Sequence, residues 1–259
     1  MTIDDSTYQS IQERLKKLEQ DKGVRILFAS ESGSRAWRFP SQDSDYDVRF
    51  IYAHEPNWYL SVVPRKDVID IAIDGDMDLG GWDIRKSFAL MRKSNCALIE
   101  WLSSPIVYRA DHEAIQPLKQ MIPKAFLARS ACHHYLSLAH RKTSEIIESE
   151  RSKLKAYFYA LRATLCAKFI VDEDQAPPML IDPLLDKYFK DVETRQAIET
   201  LRQQKLVSTE KDLIPRIGWL DDYLVKNQQE LEAVLPKNQV KAPLEEYNEA
   251  FRKTLKVIW

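Results

Sequence analysis

The sequence predicts an α+β fold: a small mixed sheet with flanking helices, joined to a C-terminal helical domain. Two observations carry the prediction. Apolar runs and alternations of strand length occur only before about Ile122, and beyond about Lys124 every apolar pattern has the helical period. The spacing therefore divides the chain into residues 1–122, a sheet-containing domain, and residues 123–259, a helical one.

The elements follow in order. Thr7 to Lys22 is an amphipathic helix, with Ile11, Leu15 and Leu18 at helical spacing and Gly23 placed to cap its end. Val24 to Ala29 is a short apolar run, the mark of a buried strand. Ser30 to Ser44 is polar and turn-rich, and Tyr46 to Tyr52 returns to a strand pattern. Val68 to Ile73 and Met77 to Trp82 read as two strands joined at Asp74-Gly75. Asp83 is the natural N-cap of a helix reaching Lys93, and Asn95 separates it from a second short helix, Ala97 to Leu102. The long helical segments are Phe126–Glu150, Lys153–Val171, Asp212–Val234 and Leu244–Val257, with a loop at Gln175–Pro178.

Composition excludes several classes. Hydrophobic residues make up 44% and charged residues 30%, which is enough apolar matter for a packed core. The net charge of −1 excludes a global basic field, while leaving room for a local basic channel. Cys96, Cys132 and Cys166 are widely spaced and odd in number, so neither a disulfide framework nor a zinc pattern follows. No signal-peptide pattern and no apolar run of spanning length occurs, so no membrane partner and a cytoplasmic location are expected.

The chemistry lies in Ser32-Gly33-Ser34-Arg35-Ala36-Trp37 and Asp43-Ser44-Asp45-Tyr46-Asp47-Val48-Arg49-Phe50. In a strand, side chains at i and i+2 share a face about 7 Å apart, which pairs Asp45 with Asp47 and turns Tyr46, Val48 and Phe50 the other way. Two such carboxylates repel each other unless a cation lies between them, and hard oxygen ligands suit Mg²⁺ or Mn²⁺. Gly33 lets the backbone approach a phosphate, the Ser34 hydroxyl can donate to it, and Arg35 adds charge. Together these form a site for a nucleoside triphosphate. Asp78, in the strand after the turn, is the preferred third carboxylate. Asp83 is the alternative, although capping already explains it, and the run Asp74, Asp76, Asp78 also reads as a solvated hairpin.

Other residues carry two readings each. Lys155, Tyr159 and Arg162 share one helix face beside an apolar stripe, placing two cations either toward a triphosphate in a cleft or on a solvated surface. His133 and His140 lie about 10 Å apart along a helix, too far to share one ion. Trp37 either stacks on a base or anchors its loop.

These residues resemble the nucleotidyltransferase signature of the DNA polymerase β superfamily: Gly followed by Gly or Ser, about ten residues, then Asp-x-Asp. Trp82-Asp83-Ile84-Arg85-Lys86, Lys93-Ser94-Asn95, Glu100-Trp101-Leu102, Lys155 to Arg162 and Pro177-Pro178-Met179 resemble a bacterial and phage branch of predicted nucleotidyltransferases. The resemblance covers about residues 24–180. It implies a polymerase β-like palm that uses Mg²⁺ or Mn²⁺ to transfer a nucleoside monophosphate from a triphosphate to an acceptor hydroxyl. Pyrophosphate leaves, and the carboxylates carry over onto Asp45, Asp47 and Asp78. The acceptor implied is an RNA end. A protein acceptor, as in a toxin–antitoxin pair, and a non-catalytic nucleotide sensor are the alternatives. Two positions depart from the branch: Arg38 stands where Gly is usual and Cys96 where Pro is frequent.

Overall fold

The computed structural model describes residues 3–259, the side chains of residues 72–74 excepted. The Asp74 side chain in the expected acidic hairpin therefore lies outside the described residues. In chain order the elements are α1 (Asp5–Lys22), β1 (Arg25–Glu31), α2 (Gly33–Trp37), β2 (Tyr46–Ala53), α3 (Pro56–Tyr59), β3 (Val68–Asp74), β4 (Met77–Asp83), α4 (Ile84–Met91), α5 (Cys96–Leu102), β5 (Val107–Ala110), α6 (His112–Gln120) and α7 (Ile122–Ala125). There follow α8 (Ala128–Ile147), β6 (Arg151–Lys153), α9 (Leu154–Glu173), α10 (Ile181–Tyr188), α11 (Val192–Val207), β7 (Leu213–Pro215), α12 (Gly218–Ala233) and α13 (Leu244–Ile258).

Two compact units result. The first comprises residues 1–36, 45–125 and 241–259 and holds a five-stranded mixed sheet of order β3-β4-β2-β1-β5. The strand pair β2–β4 is parallel, and the pairs β1–β2, β1–β5 and β3–β4 are antiparallel. Alternation fixes the faces. Val48, Phe50 and Tyr52 of β2 join Leu79 of β4 and Ile11, Leu15 and Leu18 of α1 in one apolar core. Asp47 and Arg49, between those residues in sequence, point to the opposite face.

Glycine makes the middle of β4 possible. A Cβ on Gly81 would stand 2.1 Å from the Phe50 ring, and one on Gly80 would stand 3.0 Å from an Arg49 guanidinium nitrogen. Gly81 thus admits Phe50 to the core on one face, while Gly80 admits Arg49 on the other.

The second unit comprises residues 37–44 and 126–240. Helices α8 and α9 form its centre and α12 packs on both. The buried Gln228 amide donates to the Thr143 and Thr164 hydroxyls, tying the three helices together.

The division differs from the expected one in two respects. Residues 241–259 belong to the sheet unit, where α13 packs on α6 and α4 and the Thr254 hydroxyl donates to the Ala114 carbonyl. Residues 37–44 belong to the helical unit, held by their own aromatic and polar contacts. An amphipathic helix shows that it needs a partner without showing which, and a polar loop conceals its anchors.

Candidate active site

Strand β1 ends at Glu31, and Ser32 donates its N–H to the Asp47 carbonyl at 2.9 Å, joining the two halves of the motif. Gly33 then opens α2 with a φ of 62°, the left-handed region that glycine enters without a Cβ clash. A second reason for glycine is the approach of Asp47: a Cβ here would lie 2.3 Å from its Oδ2. Ser34 is buried. Arg35 lays its guanidinium 3.9 Å from the centre of the Tyr46 ring and donates from Nε to the Asp45 carbonyl at 3.1 Å.

Asp45 stands one residue before β2, exposed, and its carboxylate makes no ion pair or hydrogen bond among the described residues. Asp47 and Asp78 are paired across the parallel strands β2 and β4, so their side chains emerge side by side. One nitrogen of Arg49, Nη2, donates to both: 2.8 Å to Asp47 Oδ1 and 2.6 Å to Asp78 Oδ2. Burial works against the Arg49 charge, but the bond to Asp78 and the fields of Asp47 and Asp78 outweigh it, holding the guanidinium more firmly protonated than usual.

Glu31 lies beneath this pair. It is fully buried, accepts from the Asp47 N–H at 3.0 Å and from the Tyr108 hydroxyl at 2.5 Å, and so fixes the backbone that carries Asp47. Burial pushes its carboxyl up to about 7, with the two hydrogen bonds pulling back. A raised carboxyl pKa binds more protons in the folded chain than in the unfolded one. Its stabilisation is full below about pH 4.5 and is lost as pH rises through about 7. Glu31→Gln should therefore flatten the decline in metal-free stability over that interval, by on the order of 3 kcal/mol. Thermal melts from pH 4.5 to 8 would check this. Asp83, pushed to about 6 by burial, contributes in the same direction and leaves a residual slope.

Asp83 occupies a different place from Asp78. It is buried at the other end of β4, caps α4 by accepting from the Arg85 N–H at 2.8 Å, and accepts from the Tyr59 hydroxyl at 2.9 Å.

Lys155 and Arg162 lie on α9 in the helical unit. Lys155 Nζ donates to both carboxylate oxygens of Glu210 at 2.7 Å. Arg162 is buried, donates to the Met179 carbonyl and lies 4.3 Å from the centre of the Trp37 ring. Trp37 also packs edge-on against Tyr159, and Phe39 stacks on Phe158. Lys205 is fully buried and donates to the Ser41 hydroxyl at 2.7 Å, burial drawing its ammonium down to about 8. These contacts anchor the loop between the Gly-Ser turn and Asp45, with Trp37 as one anchor.

Arg49, Glu31 and Gly80 are additions that the sequence reading lacked. Arg49 was legible by alternation, since it follows Asp47 by two in a strand. A glycine pair inside a strand and a lone acid closing an apolar run were the signals for the others.

No three His, Cys, Asp or Glu side chains form a metal cluster among the described residues. The donor chemistry at Asp47 and Asp78 nevertheless fits a hard cation, because two carboxylates in register already share one positive group there. No helix among the described residues is long and apolar enough to cross a membrane.

The model of the family described as "RlaP: RNA repair pathway DNA polymerase beta family" matches residues 8–253. The "Uncharacterized protein YcgL" of Bacillus subtilis (strain 168) is 37% identical over 256 residues, spanning 97% of each chain. A solved nucleotidyltransferase-like protein from Exiguobacterium sibiricum 255-15 is similar at 11% identity and a TM-score of 0.31, over 97% of this chain and 79% of that one.

Proposed function

The chain belongs to the RNA repair pathway DNA polymerase β family, a nucleotidyltransferase family, and from that premise we propose metal-dependent transfer of a nucleoside monophosphate from a triphosphate to an RNA end. The observation that carries the proposal is the side-by-side pair Asp47 and Asp78, with the exposed Asp45 two residues before Asp47 and the Gly33 turn against the Asp47 carboxylate.

In this reading Asp45, Asp47 and Asp78 would hold Mg²⁺ or Mn²⁺, which would supply positive charge toward the phosphate oxygens. Gly33 and Ser34 offer backbone and hydroxyl donors to the triphosphate. Arg35 secures the backbone of Asp45, and Glu31 secures that of Asp47. The acceptor hydroxyl oxygen bonds to the α-phosphorus, the bond from that phosphorus to the bridging oxygen breaks, and pyrophosphate departs. Asp78 takes the hydroxyl proton. Lys155 and Arg162 belong to the helical unit, where their contacts with Glu210, Met179 and Trp37 give both an architectural part.

The test is label transfer. Each α-labelled nucleoside triphosphate is incubated with the protein, Mg²⁺ or Mn²⁺ and a mixed RNA pool, and pyrophosphate release is followed in parallel. Label on RNA supports the proposal and identifies the nucleotide. Label on protein moves the acceptor to a polypeptide, and triphosphate binding without transfer to either acceptor favours a sensor.

A further inference from the structure

Positive charge is concentrated well away from the carboxylates. One cavity of about 240 Å³ lies between α4 and α13, lined by Arg85, Arg92 and Lys93 over a floor of Phe88, Tyr247 and Phe251. A second, of about 330 Å³, is lined by Lys22, Arg65, Lys66, Tyr52, His54 and Trp58, with Asp70 as its one acid. Rings and guanidinium groups connect the two. Phe251 lies 5.3 Å from Tyr59, Tyr59 lies 5.1 Å from Trp58, and the Arg85 guanidinium reaches both Trp58 and Tyr59 at 5.3 and 5.6 Å.

The cations here have ring partners at most, Arg65 and Arg85 lying over Trp58 and Arg85 over Tyr59 as well. Among the described residues none of Lys22, Arg65, Lys66, Arg85, Arg92 and Lys93 makes an ion pair, whereas nearby Lys86 pairs with Asp67 and Lys124 with Glu246. Glu245, on the rim at α13, is engaged by Arg252. Six cations without an ion pair among the described residues, in a chain of net charge −1, outnumber the nearby acids Asp67, Asp70 and Asp83 and suit an anion that repeats. Of the rings lining these cavities Tyr52, Phe88 and Tyr247 are buried, and the half-buried His54, Trp58 and Phe251 are left to meet single planar groups between those anions.

We propose that this track binds single-stranded nucleic acid, with phosphates on the cations and bases in the two aromatic-floored cavities. Resting on the transfer reaction proposed above, it is a second place for an acceptor strand, away from its reacting end. Tyr52 and Asp83 lie five residues along their strands from Asp47 and Asp78, about 17 Å away, and by strand alternation on the other face of the sheet, so the strand would pass round the sheet's end to reach the carboxylates. A base stacks on a ring whatever its identity, so the track recognises unpaired strands without reading sequence. The exposed Leu60, Val62 and Val63 adjoin Arg65 and raise a lipid surface as a rival. Concave cavities suit a strand better than a membrane, which asks for a protruding apolar tip.

The test needs neither triphosphate nor metal. Anisotropy of a fluorescent 12-nucleotide single strand is measured against the full-length protein at several salt concentrations, with RNA, DNA of the same sequence, duplex RNA and anionic lipid vesicles as separate arms. Binding by the RNA strand, or by RNA and DNA alike, is the expected result, with duplex at least about fivefold weaker because its bases are stacked. Arg92→Glu with Lys93→Glu should weaken strand binding at least about tenfold and reduce the salt slope by about 1.4, two phosphate contacts' worth. Arg65→Glu with Lys66→Glu, both on exposed residues, should act in the same direction while thermal melting stays unchanged. Strand affinity equal in wild type and both variants, duplex binding as tight as single strand, or binding to vesicles alone would each overturn the track. Failure of label transfer to RNA would leave this result standing, and loss of strand binding would leave the transfer chemistry standing, so the two proposals fall separately.

Discussion

Asp45→Asn together with Asp47→Asn is expected to lower nucleotidyl transfer at least about a thousandfold while leaving the fold intact. The substitutions keep the shape of both side chains and remove both charges, one of them the Asp47 carboxylate that lies against Gly33. A divalent ion held there would depend on carboxylate charge, and losing such electrostatic stabilisation costs orders of magnitude in rate. The structural cost is small by comparison. Asp45 has no ion pair to lose among the described residues, and Arg49 keeps Asp78 at 2.6 Å, so a stability loss of about 1–2 kcal/mol is expected from the Asp47 side. Label transfer and a thermal melt read the two quantities separately. Turnover at the wild-type rate in the double variant would remove Asp45 and Asp47 from the chemistry.

Gly81→Ala is expected to be the most damaging single methyl in the sheet unit. The new Cβ would fall 2.1 to 2.5 Å from three carbons of the Phe50 ring, and Phe50 is fully buried among Val48, Tyr52 and Leu79. The ring cannot swing away, because β4 lies between β3 and β2 and α1 closes the core beyond. Overpacking of this kind costs about 1–3 kcal/mol in ordinary cores, and the upper end applies where the obstacle is an immobile ring. For a unit of this size the Tm should fall by roughly 10 °C. Gly81→Ala with Phe50→Leu should recover most of the loss, which distinguishes the steric cause from a general intolerance of β4 to side chains. A melt of the single variant within 2 °C of wild type, a bound set by roughly 0.5 kcal/mol, would contradict the packing argument.

Legibility in the sequence followed the range of the interactions. The strand β2, the turn before β4 and the cap at Asp83 are local, set by alternation, Asp-Gly and a capping residue, and the structure has them where the pattern put them. The pair Asp47–Asp78 was named without its register, since a parallel pairing is fixed by the sheet as a whole and leaves no mark in either strand. β5, α6, α10 and α11 went unread because short or strongly polar segments carry little period. The β6–β7 pair joins residues about sixty apart, which no local pattern reports. Arg38 shows the opposite case. It stands where the branch usually has Gly, and the structure gives it a φ of 71° with an exposed side chain. The glycine is explained by the backbone alone, and arginine fills the place at a cost of about 1–2 kcal/mol without entering the fold.

Arg49 gives the proposed site an unusual resting state. Two carboxylates brought side by side in a sheet would push apart in the absence of metal, and the strands beneath them would carry that repulsion as strain. Here a tethered counterion cancels it in advance. A divalent ion held here as proposed would have to displace the guanidinium to gain the carboxylates, so its net affinity would be the difference between two attractions, smaller than either. Its occupancy would then follow the supply of triphosphate, whose oxygens would add to those of the carboxylates, and nucleotide and metal would load together.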